Sequence, residues 1–177
     1  MILLIGCSSV SGKNFKDEEA MLYGMVYNDN DEALRDVEVV VDGKLKAVSD
    51  MQGRFILKYM YGNIMERKRH TIELHKRGYE TIKELIFYDP MSLLYFRMES
   101  GKAIQEMAES LIDRGSYNEA DKALNRLLGI EGKEDIGLYL LAILRIKEGK
   151  ESEAIHLLED MENKDNIYVK KLLETIK

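Results

Sequence analysis

The 177-residue chain has one cysteine and one proline. A lone cysteine excludes an internal disulfide and any cluster of thiolate metal ligands. Histidine is nearly as scarce. His70, His75 and His156 have no metal-ligand spacing, and residues five apart on a strand face opposite sides. No metal and no other cofactor is expected. The single proline, Pro90, falls between the last two strands predicted below, where it interrupts no ladder. No stretch after Ile5 approaches the roughly 18 apolar residues of a membrane-spanning helix. There is no basic excess either. Lys and Arg number 26 against 32 Asp and Glu, a net charge of −6, which argues against a nucleic-acid partner. Motifs for chemistry are equally thin. Ser8-Ser9-Val10-Ser11-Gly12-Lys13 lacks the first glycine of a phosphate loop and the hydroxyl residue after its lysine. Asn28-Asp29-Asn30-Asp31-Glu32 lacks the glycine and distant glutamate of a calcium loop. No local pattern supplies a nucleophile with a base and an orienting group. The expectation is a protein without enzymatic activity.

The cysteine that is present has an informative neighbourhood. Leu4-Ile5-Gly6-Cys7 resembles a lipobox, the tetrapeptide after which bacterial lipoprotein signal peptides are cut. The resemblance implies a lipid on Cys7, with Leu4, Ile5 and Gly6 as the recognition residues. It also implies a location in the bacterial cell envelope, at the outer membrane or the periplasmic face. An export signal carries a basic segment and about 7–15 apolar residues before the cleavage site. Met1 to Ile5 contain no Lys or Arg, so an in-frame start upstream is expected to encode both missing parts. The alternative is the apolar end of a cytosolic protein with an incidental cysteine. Ser8 to Glu19 are polar and charged, as suits a tether between an anchor and a folded body. Residues 1–19 are read as signal remnant and tether.

Two domains are expected beyond it, because charge and hydrophobic period both change near residue 99. Residues 20–98 balance twelve basic against twelve acidic residues, and residues 99–177 carry twelve against seventeen. The first stretch reads as strands. Leu22 to Tyr27 ends in an Asn/Asp-rich turn. Val37 to Val41 stops at Asp42-Gly43, a hairpin signal. Leu45 to Val48, then Phe55 to Leu57 after the Asp50-Met51-Gln52-Gly53 turn, continue the series. Thr71 to Leu74, Ile82 to Phe87 and Ser92 to Met98 complete it. About seven short strands of this spacing predict an antiparallel β-sandwich over 20–98. Gly24-Met25-Val26, then Val37-Glu38-Val39, Ser49-Asp50-Met51-Gln52-Gly53-Arg54-Phe55 and the late Gly78-Tyr79 resemble the carboxypeptidase regulatory-like family. That resemblance implies a transthyretin-like sandwich acting as an accessory module without catalytic residues. Ser49 stands where the family usually has threonine.

Residues 99–177 switch to the helical period. Ile104, Met107, Ala108, Leu111 and Ile112 form one stripe, and Ala120, Ala123, Leu124, Leu127 and Leu128 a second. The pattern returns thirty-four residues later, with Ala108 matched by Ala142, Gly115 by Gly149, Ala120 by Ala154, Leu124 by Leu158 and Leu127 by Met161. This half resembles two tetratricopeptide repeats, 101–134 and 135–164. Val169, Leu172, Leu173 and Ile176 mark a capping helix over 165–177. The expected fold class is therefore α+β, a sandwich followed by a helical repeat stack.

Two surfaces are candidates for function. The loop from Gly62 to Arg69, with Glu66-Arg67-Lys68-Arg69-His70 as its basic run, is either a solvated loop or suited to anionic headgroups or an acidic partner. The segment from Ile136 to Ile146 is apolar almost all round, so it is buried on more than one side. In the repeat family, Ile136, Tyr139, Ile143 and Ile146 face the concave groove. They are expected to meet either a partner segment or the sandwich. The function expected from these features is that of a protein-binding adaptor or scaffold in a membrane-associated assembly. The alternative is a carbohydrate- or peptide-binding module, which exposed aromatics among Tyr23, Tyr27, Tyr59 and Tyr61 would favour.

Overall fold

The computed structural model describes residues 19–60, 69–87, 89, 91–163 and 166–176. Cys7 with the preceding tetrapeptide, most of the basic loop, Tyr61 and Pro90 lie outside the described residues, as does the side chain of Tyr59.

Among the described residues seven strands come first: β1 Glu19–Asn28, β2 Glu38–Val41, β3 Lys44–Val48, β4 Arg54–Met60, β5 Arg69–His75, β6 Ile82–Phe87 and β7 Leu93–Met98. They form a three-stranded sheet in the order β4-β1-β7 and a four-stranded sheet in the order β3-β2-β5-β6. Alternation along each strand turns Leu22, Val26, Phe55, Leu57, Phe96 and Met98 of the first sheet toward Val39, Val41, Ile72, Leu74 and Ile86 of the second. All are buried in one core. The chain is thus a two-sheet sandwich in this half. The expectation of a wholly antiparallel sandwich needs one correction. β7 runs parallel to β1, from Tyr23 opposite Leu93 to Asn28 opposite Met98. β7 reaches β1 from the other sheet, with no hairpin between them, and only a hairpin connection forces neighbours to be antiparallel.

The turns follow their residues. Asp42 and Gly43 both have positive φ, 50° and 73°, the backbone of a two-residue hairpin loop. At the β3–β4 turn, Asp50 Oδ1 accepts hydrogen bonds from the backbone N–H groups of Gln52 and Arg54, each at 2.9 Å. Arg54 also pairs with Oδ2 through its guanidinium. These donors, the Arg54 N–H foremost, hold the Asp50 carboxyl below the usual carboxylate range. The Ser49 hydroxyl is buried. It accepts from Val37 N at 2.9 Å and donates to the Leu34 carbonyl at 2.7 Å. That position needs a hydroxyl, which serine supplies as well as threonine does.

Among the described residues five helices follow: α1 Gly101–Asp113, α2 Tyr117–Leu128, α3 Glu134–Lys147, α4 Glu151–Glu159 and α5 Ile167–Ile176. Positions thirty-four apart play the same parts. Ala108 and Ala142, Ala120 and Ala154, and Leu124 and Leu158 are all at 0% exposure. Gly115 and Gly149 end α1 and α3 with φ of 75° and 76°, the left-handed conformation of a helix stop. Ser116 N bonds the Leu111 carbonyl at 2.9 Å, and Lys150 N bonds the Arg145 carbonyl at 2.8 Å. Between the pairs, Arg145 binds Asp121 of α2, Glu148 at the end of its own helix and Glu153 of α4. Burial works against its charge, but Asp121 and Glu148 outweigh burial and raise its pKa. No described helix is long and apolar enough to cross a membrane.

Three residues after β7 join the two halves. Gly101 N donates to the Gly78 carbonyl at 2.8 Å, and Glu80 N donates to the Glu99 carbonyl at 3.0 Å. Ser100 caps α1 by accepting from Ala103 N at 3.1 Å. The β5–β6 turn is therefore hydrogen-bonded to the start of the helical half.

Candidate functional site: two exposed surfaces and a junction

On the helical half, α3 carries the residues expected to line a groove. Ile136, Tyr139, Ile143 and Ile146 are all half-buried. They do not form one strip. Ile136 and Ile143 pack on the core that α1, α2 and α3 share. Tyr139 and Ile146 pack on a second core, with Ala154, Leu158, Val169, Leu172 and Leu173. α5 thus covers part of the face that sequence left open, and among the described residues the sandwich meets other helical residues. What remains accessible is a cavity of about 340 Å³ between α3 and α5. Ile136, Tyr139, Met161 and Val169 supply its apolar wall, and Tyr168, Asn163 and Asn166 its rim. Asp135 shapes the rim by accepting from Glu162 N at 3.0 Å and Asn163 N at 3.2 Å.

On the sandwich, the outward face of the three-stranded sheet is apolar. Met21, Tyr23, Ile56, Leu93 and Tyr95 are 39%, 51%, 44%, 56% and 56% exposed. Register makes them contiguous, because Tyr23 lies between Ile56 on one side and Leu93 on the other, and Met25 lies opposite Tyr95. The Tyr23 hydroxyl donates to Met21 Sδ at 3.6 Å and the Tyr27 hydroxyl to Met25 Sδ at 3.7 Å. Those bonds lay the rings along the strand. Tyr27 and Tyr95 stack with ring centres 5.1 Å apart. A cavity of about 680 Å³ opens beside this face, where Tyr23, Ile56 and Leu93 adjoin Lys46 and Val48 of β3. Of these residues, sequence reasoning singled out only Tyr23 and Tyr27. It did not find Leu93 or Tyr95, because an apolar run such as Leu93-Leu94-Tyr95-Phe96 reads equally well as a strand buried on both faces.

The polar clusters are small. The His70 ring is buried, with Nδ1 2.6 Å from Asp42 Oδ2. Asp42 Oδ1 accepts from Thr71 N at 3.0 Å. His75 lies 3.3 Å from Glu73 and 3.4 Å from the Thr81 hydroxyl. Lys83 takes the other oxygen of Glu73 at 2.7 Å and, as the main cause, lowers the Glu73 pKa. His156 is exposed on α4. Among the described residues no group of three or more His, Cys, Asp or Glu is placed to hold a metal ion. Of the basic run, Arg69 begins β5 and lies over the Phe87 ring, 5.3 Å from its centre.

No protein family and no curated protein matches this chain. Some solved structures align with part of the chain at low similarity. A type II cohesin–X-dockerin complex from Acetivibrio cellulolyticus is 18% identical, with 46% of this chain aligned to 58% of that one and a TM-score of 0.37. BcpA, the major pilin subunit of Bacillus cereus, is 11% identical over 47% of this chain and 29% of its own, with a TM-score of 0.35. A 3-chlorocatechol 1,2-dioxygenase from Rhodococcus opacus is 12% identical over 50% of this chain and 61% of its own, with a TM-score of 0.33. The chain spans less than two thirds of the length of each.

Arg126 of α2 marks the junction between the halves. It reaches Glu80 with two bonds, Nε to Oε1 at 3.0 Å and Nη2 to Oε2 at 2.6 Å, and Glu99 with a third at 2.5 Å. The guanidinium beside Glu80 holds its carboxyl below the ordinary value of 4.5, against the opposing effect of burial. A depressed carboxylate pKa contributes stability above the unfolded value, and that contribution is lost as pH falls through the folded value. The Arg126→Ala variant is therefore expected to be less stable than wild type at pH 6, and the gap is expected to close as the pH falls below the ordinary glutamate value of 4.5. Urea melts at pH 6, 4.5 and 3.5 check this. A gap that stays constant across the series would mean that the Glu80 pair adds nothing.

Proposed function

We propose that this chain is a non-enzymatic adaptor that holds a protein segment against its helical half. The segments 101–134 and 135–164 are taken as two tetratricopeptide-like repeats capped by 165–177. The sandwich at 20–98 is taken as an accessory module of the carboxypeptidase regulatory-like kind. One observation carries the reading. The cavity between α3 and α5 has an apolar wall, two tyrosines and a rim of amides, and it lies on the helix that the repeat pattern assigns to the groove. Such a cavity suits one large apolar side chain of a partner segment, with rim groups bonding the partner backbone. An envelope location, with a lipid on Cys7, rests on Leu4-Ile5-Gly6-Cys7 and the polar stretch Ser8 to Glu19 after it.

Tyr168 tests the proposal without disturbing the core, because it is 67% exposed. Crosslinking in cells, followed by capture of the full chain and mass spectrometry, is expected to recover one recurrent protein. Tyr168→Ser is expected to reduce that recovery at least about tenfold with an unchanged thermal melt, as loss of an interface anchor does. Equal recovery with the variant, or no recurrent protein at all, would overturn the proposal. The alternative of a carbohydrate- or peptide-binding sandwich has exposed Tyr23 and Tyr95 in its favour. Binding to a glycan array would support it.

A further inference from the structure

We propose that the outward face of the β4-β1-β7 sheet is where two copies of this chain pack on each other. This goes beyond the adaptor reading, which uses only the helical half. The face has the size for it. Met21, Tyr23, Ile56, Leu93 and Tyr95 together expose on the order of 500 Å², within the range of the largest, often functional, patch on a monomer. With the exposed arms of Arg54 and Arg97 the surface comes to about 700 Å², inside the roughly 600–1,000 Å² that each partner gives to a standard interface.

Shape and charge both suit a second copy. Sheet faces bearing large side chains pack on one another about 10 Å apart. A two-fold dimer requires a patch that is complementary to itself. Here the apolar centre is flanked by cations that already have partners. Arg54 pairs with Asp50, and Arg97 pairs with Asp31. Two such faces can meet with the Arg54 and Arg97 charges already neutralised. The wider balance agrees, because residues 20–98 carry twelve charges of each sign while the excess negative charge sits on residues 99–177. Two sandwiches therefore approach without net repulsion, although the whole chain is at −6.

A sugar is the less suited occupant. The hydroxyls of Tyr23 and Tyr27 are directed at methionine sulfur, and apart from Tyr95 the centre of the face is otherwise Met, Ile and Leu. Sugar hydroxyls covered by such a surface would lose more water bonds than the Tyr95 hydroxyl replaces. Apolar side chains of a second copy lose nothing there.

Sedimentation velocity of the full chain across a concentration series tests the proposal. Wild type is expected to pass from monomer to dimer as concentration rises. Tyr95→Glu, at an exposed position, is expected to weaken the dimer at least about tenfold, since the two-fold axis brings two new carboxylates into an apolar interface. Its thermal melt at monomeric concentrations should fall only by the small loss of the Tyr27 stack. Leu85→Glu, at an exposed position of the other sheet, should leave the dimer intact. A chain that stays monomeric at about 100 µM, well above useful dimer affinities, would sink the idea. So would a dimer indifferent to both Tyr95→Glu and Tyr23→Glu. Failure here leaves the adaptor reading untouched, because Tyr168 and partner capture test that reading separately.

Discussion

Gly53→Ala is expected to destabilise the sandwich by about 3–4 kcal/mol, the combined cost of a forbidden backbone angle and an atomic overlap. Gly53 has a φ of 73°, where a side chain costs roughly 1–2 kcal/mol. A Cβ there would also lie 2.4 Å from the Val26 carbonyl oxygen. That oxygen cannot retreat, because it accepts from Leu34 N at 3.0 Å while Val26 N donates to the Gly53 carbonyl at 2.8 Å. The turn between β3 and β4 is in this way bonded to the middle of β1 and, through β1, to the loop that leads into β2. Gly43 provides the control. Its φ is also 73°, but a Cβ there meets nothing within 4 Å. Gly43→Ala should lose only the angular part, about 1–2 kcal/mol. Urea denaturation of both variants, read by circular dichroism, separates the two terms. Equal losses would mean that the approach to Val26 is irrelevant.

The contrast between these glycines also measures what the sequence discloses. Asp42-Gly43 and Asp50-Met51-Gln52-Gly53 are both legible as turns from residue type alone, and both are turns. The second one's contact with Val26 is not legible, since it joins residues far apart in the chain. The same limit applies to the junction. Glu80 and Arg126 are forty-six residues apart, and each alone reads as an ordinary surface charge. Strand positions were legible wherever apolar and polar residues alternate, as in Thr71 to Leu74. β1 and β7 are apolar on both faces, so their pattern identified strands without saying which face was covered. Direction was lost for a related reason, because no turn signal ties β7 to β1. On the helical side, periodicity marked the repeated positions, and the all-round apolar character of α3 correctly implied burial on two sides. It did not reveal that α5 supplies one of those sides, and for this reason the four expected groove residues divide between two cores.

Gly24→Ala is expected to cost up to about 3 kcal/mol, the upper end of the range for an extra carbon forced into a packed core, through an overlap of a different kind. Gly24 sits in β1 directly opposite Phe55 of β4. Its missing side chain leaves the space that the Phe55 ring fills. A Cβ built there would be 2.1 Å from Phe55 Cζ and within 2.6 Å of both neighbouring ring carbons. A side-chain tip can often swing away from such an intrusion. This ring cannot, because it is 3% exposed and packs near Phe96 with centres 6.3 Å apart. The glycine before Met25-Val26 and the phenylalanine after Gly53-Arg54 are therefore one packing unit, although thirty residues of chain lie between them. A double-mutant cycle tests that unit. Phe55→Leu alone should destabilise by about 1–2 kcal/mol through lost burial. In the Gly24→Ala background the same change should cost little or restore stability, since the smaller side chain makes room for the new methyl. The coupling is expected to exceed about 1 kcal/mol in the favourable direction, as for residues in direct contact. Simple additivity of the two losses would show that the ring does not depend on the glycine, and that the spacing of these two motifs has another cause.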